Sequence, residues 1–259
     1  MKTKIQAYTF GKFVIVIFLI YTWHLFTKNK DNSFDRLSFP SLSLMITTIG
    51  NRYEELIEYS LITWGRVIFG LLLGGGLGVL CGVLMSYNKI FNTIADPVIE
   101  IVRPIPPVAL TPFFILWFGL GNTSQLLLIS LGCFMILSVS TYSSLQNVAP
   151  IYIKTAKGLG AKNWYLYKTI HLPAITPSLL ASVRVALASS FALTVAAEYL
   201  GAQGGVGYMI RNARTILQTD VILLGAIILG IESSVTDFLI RIGFRYLTKW
   251  APRLNNNDQ

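Results

Sequence analysis

Two carboxylates lie inside long apolar runs, where a charge is costly unless it has a function or a partner. Glu198 ends the apolar run that begins at Phe191, and Glu232 lies in a later apolar run. A carboxylate in such a place can carry a proton, bind a cation or pair with an arginine. We expect Arg211 or Arg214 to pair with Glu198 because both follow it closely in the chain. Two interpretations stay open for Glu198: a gate or path residue, and a structural carboxylate that reaches the surface.

No set of residues has the spacing of a catalytic or metal site. Residues 158–162 have the glycines and lysine of a phosphate-binding loop, but Asn163 stands where Ser or Thr is required, and no strand precedes. The histidines and cysteines are isolated from one another: His24, His171, Cys81 and Cys133. The sequence therefore predicts no metal site, no catalytic residues and no hydrolysis of ATP by this chain alone.

The composition indicates a membrane protein. Hydrophobic residues make up 53% and charged residues 13% of the 259 residues, and the mean hydropathy is +0.59. Soluble domains carry about 25% charged residues, so lipid is the solvent that explains this deficit. The net charge of +9 could suggest nucleic acid, but the basic residues are dispersed between apolar runs. We expect no nucleic-acid partner.

Six segments are apolar enough to be membrane-spanning helices of roughly 20 residues. They are residues 10–26, 61–85, 104–120, 124–142, 178–200 and 221–241. We interpret the first as an uncleaved anchor, because no small-residue cleavage site follows its apolar core.

The basic residues between the spans predict the orientation. One side of the membrane would have about twice as many basic residues as the other. That side has Lys2, Lys4, Lys12, Lys89, Arg103, Lys154, Lys157, Lys162, Lys168, Arg241, Arg245, Lys249 and Arg253, and the other has Lys28, Lys30, Arg36, Arg52, Arg211 and Arg214. The positive-inside rule makes the richer side, with both termini, cytoplasmic. Trp23, Trp64 and Trp117 then fall at outer helix ends, which suits indoles.

Small residues repeat at every fourth position of the second span: Gly70, Gly74, Gly78, Gly82 and Ser86. They share one helical face, so we expect another helix to pack closely there. In the third span, Pro104, Pro106 and Pro107 suit a first helical turn, whereas Pro112 lies deeper. Pro112 should kink the helix, either freeing a carbonyl toward a polar path or only bending the helix for packing.

The segment from Pro150 to Pro177 is too long and too charged to be a minimal connection between spans. Its small residues predict a short helix, a tight turn at Gly160 and a second helix capped by proline. This cytoplasmic projection resembles the coupling loop of binding-protein-dependent ABC importer permeases, which reads Glu-Ala-Ala, three residues, Gly, nine residues, Ile, one residue, Leu-Pro. The matching positions are Ala156, Gly160, Ile170, Leu172 and Pro173, with Ala161 beside the glycine. Lys154 and Thr155 replace the usual Glu and Ala, which puts in doubt any salt bridge to an ATPase that needs the acid.

Two further segments resemble the taurine, sulfonate and nitrate group of these permeases, and taurine permeases most. One contains Arg103-Pro104-Ile105-Pro106-Pro107, Pro112 and Trp117-Phe118-Gly119-Leu120-Gly121; the other contains Ala197-Glu198 and Gly205-Val206-Gly207-Tyr208. The resemblance covers roughly residues 61–250. It suggests a translocation path or gate at Arg103, Pro107, Pro112, Glu198, Gly205 and Gly207.

The resemblance implies an all-α membrane bundle of six helices with the type I importer fold. We expect an anchor helix and outer loop at 1–57, the permease domain at 58–243 and a cytoplasmic tail at 244–259. The implied partners are two ABC ATPase subunits that bind ATP and Mg²⁺, an extracytoplasmic binding protein and a second permease copy. No cofactor is expected in this chain, which would lie in the bacterial inner membrane.

The expected substrate is taurine or another sulfonate, with nitrate, bicarbonate, cyanate or a thiamin precursor as alternatives. A secondary transporter that uses Glu198 and Glu232 for ion coupling is a further alternative.

Overall fold

The computed structural model describes residues 18, 21–23, 25 and 40–247, and every element within them is helical. Most of the predicted first span and the end of the predicted tail lie outside these residues. The elements, in chain order, are α1 Leu42–Tyr87, α2 Lys89–Val102, a 3-10 turn Pro107–Leu110, α3 Thr111–Phe118, α4 Asn122–Gln146, α5 Pro150–Gly158, α6 Asn163–Leu166, a π turn Tyr167–His171, α7 Leu172–Gly201, α8 Val206–Thr215 and α9 Thr219–Leu247.

Four described helices are long and apolar enough to cross a membrane: α1, α4, α7 with the turns before it, and α9. They contain the predicted second, fourth, fifth and sixth spans, which confirms an all-α membrane bundle. The predicted third span is not one helix. A bend of 84° separates α2 from the 3-10 turn and α3, and the two parts together have the length and composition of a fifth span.

The bend differs from the sequence prediction in its position. It falls at residues 103–106, beside Pro104, Pro106 and Pro107, and not at Pro112. Pro112 lies in the first turn of α3. Proline is tolerated there because its missing N–H costs little in the first turn of a helix. The prediction of a kink at Pro112 was therefore wrong.

Helix α1 begins well before its membrane span. The hydroxyl of Ser41 accepts a hydrogen bond from the Leu44 amide and caps it. Only Arg52 has non-helical dihedral angles, so a short helix of residues 42–51 continues into the longer one. Thr48 donates to Asp220 at 2.5 Å and Arg52 to Gln218 at 3.2 Å. The end of the predicted outer loop is thus a helix fixed to the start of α9.

The bundle core forms where α1 packs against α4. The glycine face of α1 lies on α4, and a methyl group added at Gly74 would overlap the backbone of Ser130. At Gly78 it would lie 2.7 Å from the Phe134 carbonyl oxygen, and at Gly82 2.6 Å from that of Ser138. The two backbones therefore touch as small residues in lipid allow. Helix α7 completes this core with Ala186, Leu187 and Phe191.

Candidate functional site

The predicted coupling segment has a short helix and a glycine turn. After α5, the amides of Leu159, Gly160 and Ala161 bond back to the carbonyls of Thr155, Lys157 and Ala156 at 3.0–3.1 Å. Gly160 has φ +82°, a conformation that favours glycine. The second helix differs from the prediction, because it is not capped by proline. Pro173 lies in the first turn of α7, and α6 and the π turn lead directly into it.

The turn carries an exposed apolar surface with basic residues around it. Leu159 is 85% exposed, Trp164 70% and Tyr165 62%. Lys154 and Thr155 are also exposed, Ala156 and Ala161 are half-buried, and Ile170 and Pro173 are half-buried below the turn. A shallow pocket of about 470 Å³ runs between Ala156, Leu159 and Tyr165. Water is a poor solvent for such a surface, which is typical of a protein-binding site.

Aromatic side chains join this segment to the bundle. The Tyr167 hydroxyl donates to the Ser86 carbonyl oxygen at 2.7 Å, and the Tyr167 ring lies 5.1 Å from that of Tyr87. On its other side, Tyr167 stacks on His171 at 4.5 Å. Ser86, the last small residue of the glycine face, therefore contacts the π turn. Movement of the turn would be transmitted to the end of α1 as well as to α7.

A buried polar cluster surrounds Glu198 near the start of α4 and the end of α7. Glu198 is fully buried, and Arg66 donates to it at 2.6 Å. The Thr63 hydroxyl and the Gly207 amide also donate to Glu198, at 2.9 and 2.8 Å. Arg66 bonds in addition to the Gly204 carbonyl oxygen at 2.7 Å. The cluster joins α1, α7 and the start of α8.

The expected partners of Glu198 were wrong. Arg211 bonds to the carbonyls of Tyr199 and Ala202, and Arg214 to the Tyr199 hydroxyl. The actual partner, Arg66, precedes Glu198 by 132 positions, so proximity in the chain could not identify it. A signal was present, since Arg66 is the only charged residue in the apolar run 61–85.

The first turn of α4 also belongs to this cluster, because Asn122 accepts from Arg66 at 2.6 Å. Glycines let the α7–α8 connection approach the carboxylate. Gly205 has φ +108°, and a methyl group there would overlap Glu198. At Gly207 it would lie 2.8 Å from the Glu198 Cβ. Three of the predicted path residues, Glu198, Gly205 and Gly207, therefore lie together.

Arg103 and Pro107 lie elsewhere, on a cleft of about 510 Å³ between the bend, α4 and α7. Its other walls are Gly132, Met135, Ile136, Val139, Ser140, Ser189, Ala192 and Leu193. Pro112 does not line this cleft. The predicted path residues thus divide into the buried cluster, the cleft and Pro112.

Helix α9 has two further polar contacts. Asp237 pairs with Arg241, four positions later in the same helix, at 2.5 Å and also with Arg184 of α7 at 2.6 Å. Glu232 accepts from the Ser60 hydroxyl, and its second carboxylate oxygen has no hydrogen-bond partner among the described residues. Within those residues, no group of three or more His, Cys, Asp or Glu could hold a metal ion.

Comparison with known proteins extends the motif evidence over most of the chain. Residues 74–251 match the family described as "Binding-protein-dependent transport system inner membrane component". SsuC of Bacillus subtilis, a permease protein named for aliphatic sulfonates transport, is 36% identical over 76% of this chain and 71% of its own. The taurine transport system permease protein TauC of Escherichia coli is 33% identical over 71% of this chain and 67% of its own.

Solved structures agree at the level of the fold. A chain of the inward-facing MetNI methionine ABC transporter is 18% identical, with a TM-score of 0.54 over 78% of this chain and 96% of its own. A chain of an amino acid ABC transporter is 15% identical in sequence, with a TM-score of 0.61 over 78% of this chain and 98% of its own. The chain therefore belongs to the binding-protein-dependent transport system inner membrane components, the permeases of ABC importers.

Proposed function

We propose that this chain forms the translocation path of an ATP-driven importer for a small organic anion, taurine or another sulfonate. The exposed apolar turn at Leu159, Gly160 and Tyr165 carries this proposal, because a membrane bundle with such a projection needs a soluble partner to cover it. In this family, that partner is a cytoplasmic ATPase. Two ATPase copies would bind ATP and Mg²⁺, and this chain would contribute no catalytic group or cofactor.

The other parts of the transporter follow from family membership. A binding protein outside the bacterial inner membrane would deliver the substrate, and two permease chains would enclose the path. Closure of the ATPases would displace both coupling turns and switch the bundle between inward-facing and outward-facing states. Sulfonates are favoured over nitrate, bicarbonate, cyanate and thiamin precursors because the similar permeases SsuC and TauC are named for sulfonate and taurine transport.

The geometry counts against an ion-coupled secondary transporter. Such a transporter needs a carboxylate that can release and regain its ion during each cycle. Glu198 is instead bound to Arg66, Thr63 and the Gly207 amide, all at hydrogen-bond distance. Glu232, with one oxygen unbound among the described residues, is the better candidate for that alternative.

A substrate panel tests the proposal. The permease, its ATPase and its binding protein are reconstituted in vesicles, and ATP-driven uptake is measured for taurine, an alkanesulfonate, nitrate, bicarbonate, cyanate and a thiamin precursor. We expect the two sulfonates to be taken up and the others not. Uptake of one of the others without sulfonate uptake would contradict the proposed substrate class while leaving the importer assignment intact.

A further inference from the structure

We propose that Arg103 is the residue that attracts the anionic group of the substrate into the cleft between the bend, α4 and α7. This inference rests on the proposed function, and it assigns the selection of charge to one side chain. Arg103 follows the last residue of α2, immediately before the bend. The distribution of basic residues placed it on a cytoplasmic flank, and the family resemblance suggested a path or gate residue. The structure places it at the break within a bent span.

The walls of the cleft show which part of the bundle Arg103 faces. Gly132 and Met135 belong to the central turns of α4, and Ser189 and Ala192 to the central part of α7. Both helices are long enough to cross a membrane. The cleft continues to Val139 and Ser140, nearer the end of α4, and Arg103 is exposed in the single chain. The guanidinium group therefore faces a cleft that extends from the centre of the bundle toward one end.

Arg103 also differs from several other arginines in its bonding. Arg66, Arg184 and Arg241 each bind a carboxylate. Among the described residues, the Arg103 side chain makes no hydrogen bond or ion pair, and no acidic residue lines its cleft. An arginine at membrane depth normally marks a ligand or ion site. The free guanidinium can therefore bind an anion that enters the cleft.

The remaining cleft wall suits a sulfonate with a small organic tail. The hydroxyls of Ser140 and Ser189 can donate to sulfonate oxygens that the guanidinium does not reach. Met135, Ile136 and Val139 offer an apolar surface for the tail. No carboxylate in the cleft is placed to bind the ammonium group of taurine. We therefore expect the path to recognise the sulfonate end and to tolerate tails with or without an amino group.

Thiol labelling tests whether Arg103 makes the electrostatic potential of the cleft positive, and it does not require transport. Cys81 and Cys133 are replaced by Ala, and Ser189 by Cys, in the permease assembled with its ATPase. The probes are the negatively charged sulfonatoethyl methanethiosulfonate and the positively charged trimethylammonioethyl methanethiosulfonate. Arg103→Gln should lower the ratio of the two labelling rates, anionic to cationic, at least threefold. The control Arg245→Gln, which removes an exposed charge at the end of α9, should leave the ratio unchanged. If the ratio of anionic to cationic labelling rates is the same with Arg103 and in the Arg103→Gln variant, the proposal is overturned.

Uptake in vesicles gives the second arm. Arg103→Gln should lower ATP-driven sulfonate uptake at least tenfold, while the sulfonate-loaded binding protein still stimulates ATP hydrolysis, which shows that the complex is assembled. Arg103→Lys should retain more uptake because it keeps the charge. Unchanged uptake in Arg103→Gln would overturn the role of Arg103 and leave the proposed function standing. If the unaltered permease takes up no sulfonate, the proposed function fails, and the labelling ratio still decides whether Arg103 attracts anions.

Discussion

At the scale of single residues, the Arg66–Glu198 pair ties together parts of the chain that lie far apart in sequence. Arg66 reaches Glu198, the Gly204 carbonyl and Asn122, and Thr63 accepts from the Val206 amide at 2.8 Å. A buried ion pair is favourable only if its remaining hydrogen bonds are also made. Here they are made by the start of α4 and the α7–α8 connection. We infer that the pair holds this connection in place.

Removing one charge of the pair should leave the other buried and uncompensated. Glu198→Gln should lower the free energy of unfolding by about 3 kcal/mol and reduce ATP-driven uptake. Adding Arg66→Gln should restore part of the lost stability, because no lone charge then remains. Thermal unfolding in detergent measures both variants, with the exposed Glu58→Gln as the control. A Glu198→Gln variant as stable as this control would contradict the structural role of the pair.

The sequence identified Glu198 but not its environment. A carboxylate at the end of an apolar run is visible in the sequence, because hydropathy is local. Arg66 was also visible as a charge within an apolar run, but its pairing with Glu198 was not, because only the packing of α1 against α4 and α7 brings the two together. The same holds for Arg103, whose place in the cleft depends on the bend between α2 and the 3-10 turn.

At the scale of helices, the contact between α1 and α4 can be tested with two glycines that are close in sequence. Gly74→Ala should destabilise the protein by about 2 kcal/mol, since the added methyl group overlaps the Ser130 backbone. Gly76→Ala should be neutral or slightly stabilising, because nothing lies within 4 Å and alanine favours the helix. Thermal unfolding in detergent compares them. Equal effects of the two changes would show that the glycine face does not pack as described.

The coupling turn provides a second test at this scale. Gly160→Val should lower ATP-driven uptake at least threefold, because valine does not readily adopt φ +82°. The packing of the bundle should hardly change, since no atom lies within 4 Å of the position where a side chain would begin. The backbone strain of about 1–3 kcal/mol falls on the turn itself. Gly158→Ala is the control, as Gly158 is helical and has equally open surroundings. Normal uptake by Gly160→Val would remove this segment from the coupling mechanism.

Hydropathy predicted the straight spans well, because burial in lipid requires long apolar runs. It failed for residues 89–118, where the bend separates two short helices. Prolines indicate that a helix breaks, but the break lies at the cluster of three and not at the single Pro112. The second span was predicted to begin at residue 61, whereas α1 begins at Leu42. Hydropathy could not show this, because the residues before 61 are more polar than those of the span.

At the scale of the whole molecule, α1 contacts the Glu198 cluster near its middle and the predicted coupling segment at its end. Arg66 belongs to the Glu198 cluster, and Ser86 contacts the π turn of the coupling segment. The twenty positions from Arg66 to Ser86 span about 30 Å of helix, close to the thickness of the hydrocarbon layer. The bundle therefore holds the predicted coupling segment and the Glu198 cluster about one hydrocarbon thickness apart.

Labelling from each side of the membrane tests this arrangement. In the variant Lys157→Cys, the new thiol should react with a membrane-impermeant thiol reagent only from the cytoplasmic side. In Asn51→Cys it should react only from the outside. Both residues are exposed, so access should not limit the reaction. The control is the chain with Cys81 and Cys133 replaced and no new cysteine added. Reaction with the opposite sidedness would reverse the orientation and contradict the coupling role of the turn at Gly160.

The most direct test of the central claim is the energy source of transport. Sulfonate uptake is measured in vesicles that contain the permease, the ATPase and the binding protein, with and without ATP and an uncoupler. We predict uptake that requires ATP and both partners and that persists when the proton gradient is collapsed. Uptake by the permease alone without ATP, or uptake abolished by the uncoupler while ATP is present, would contradict an ATP-driven importer.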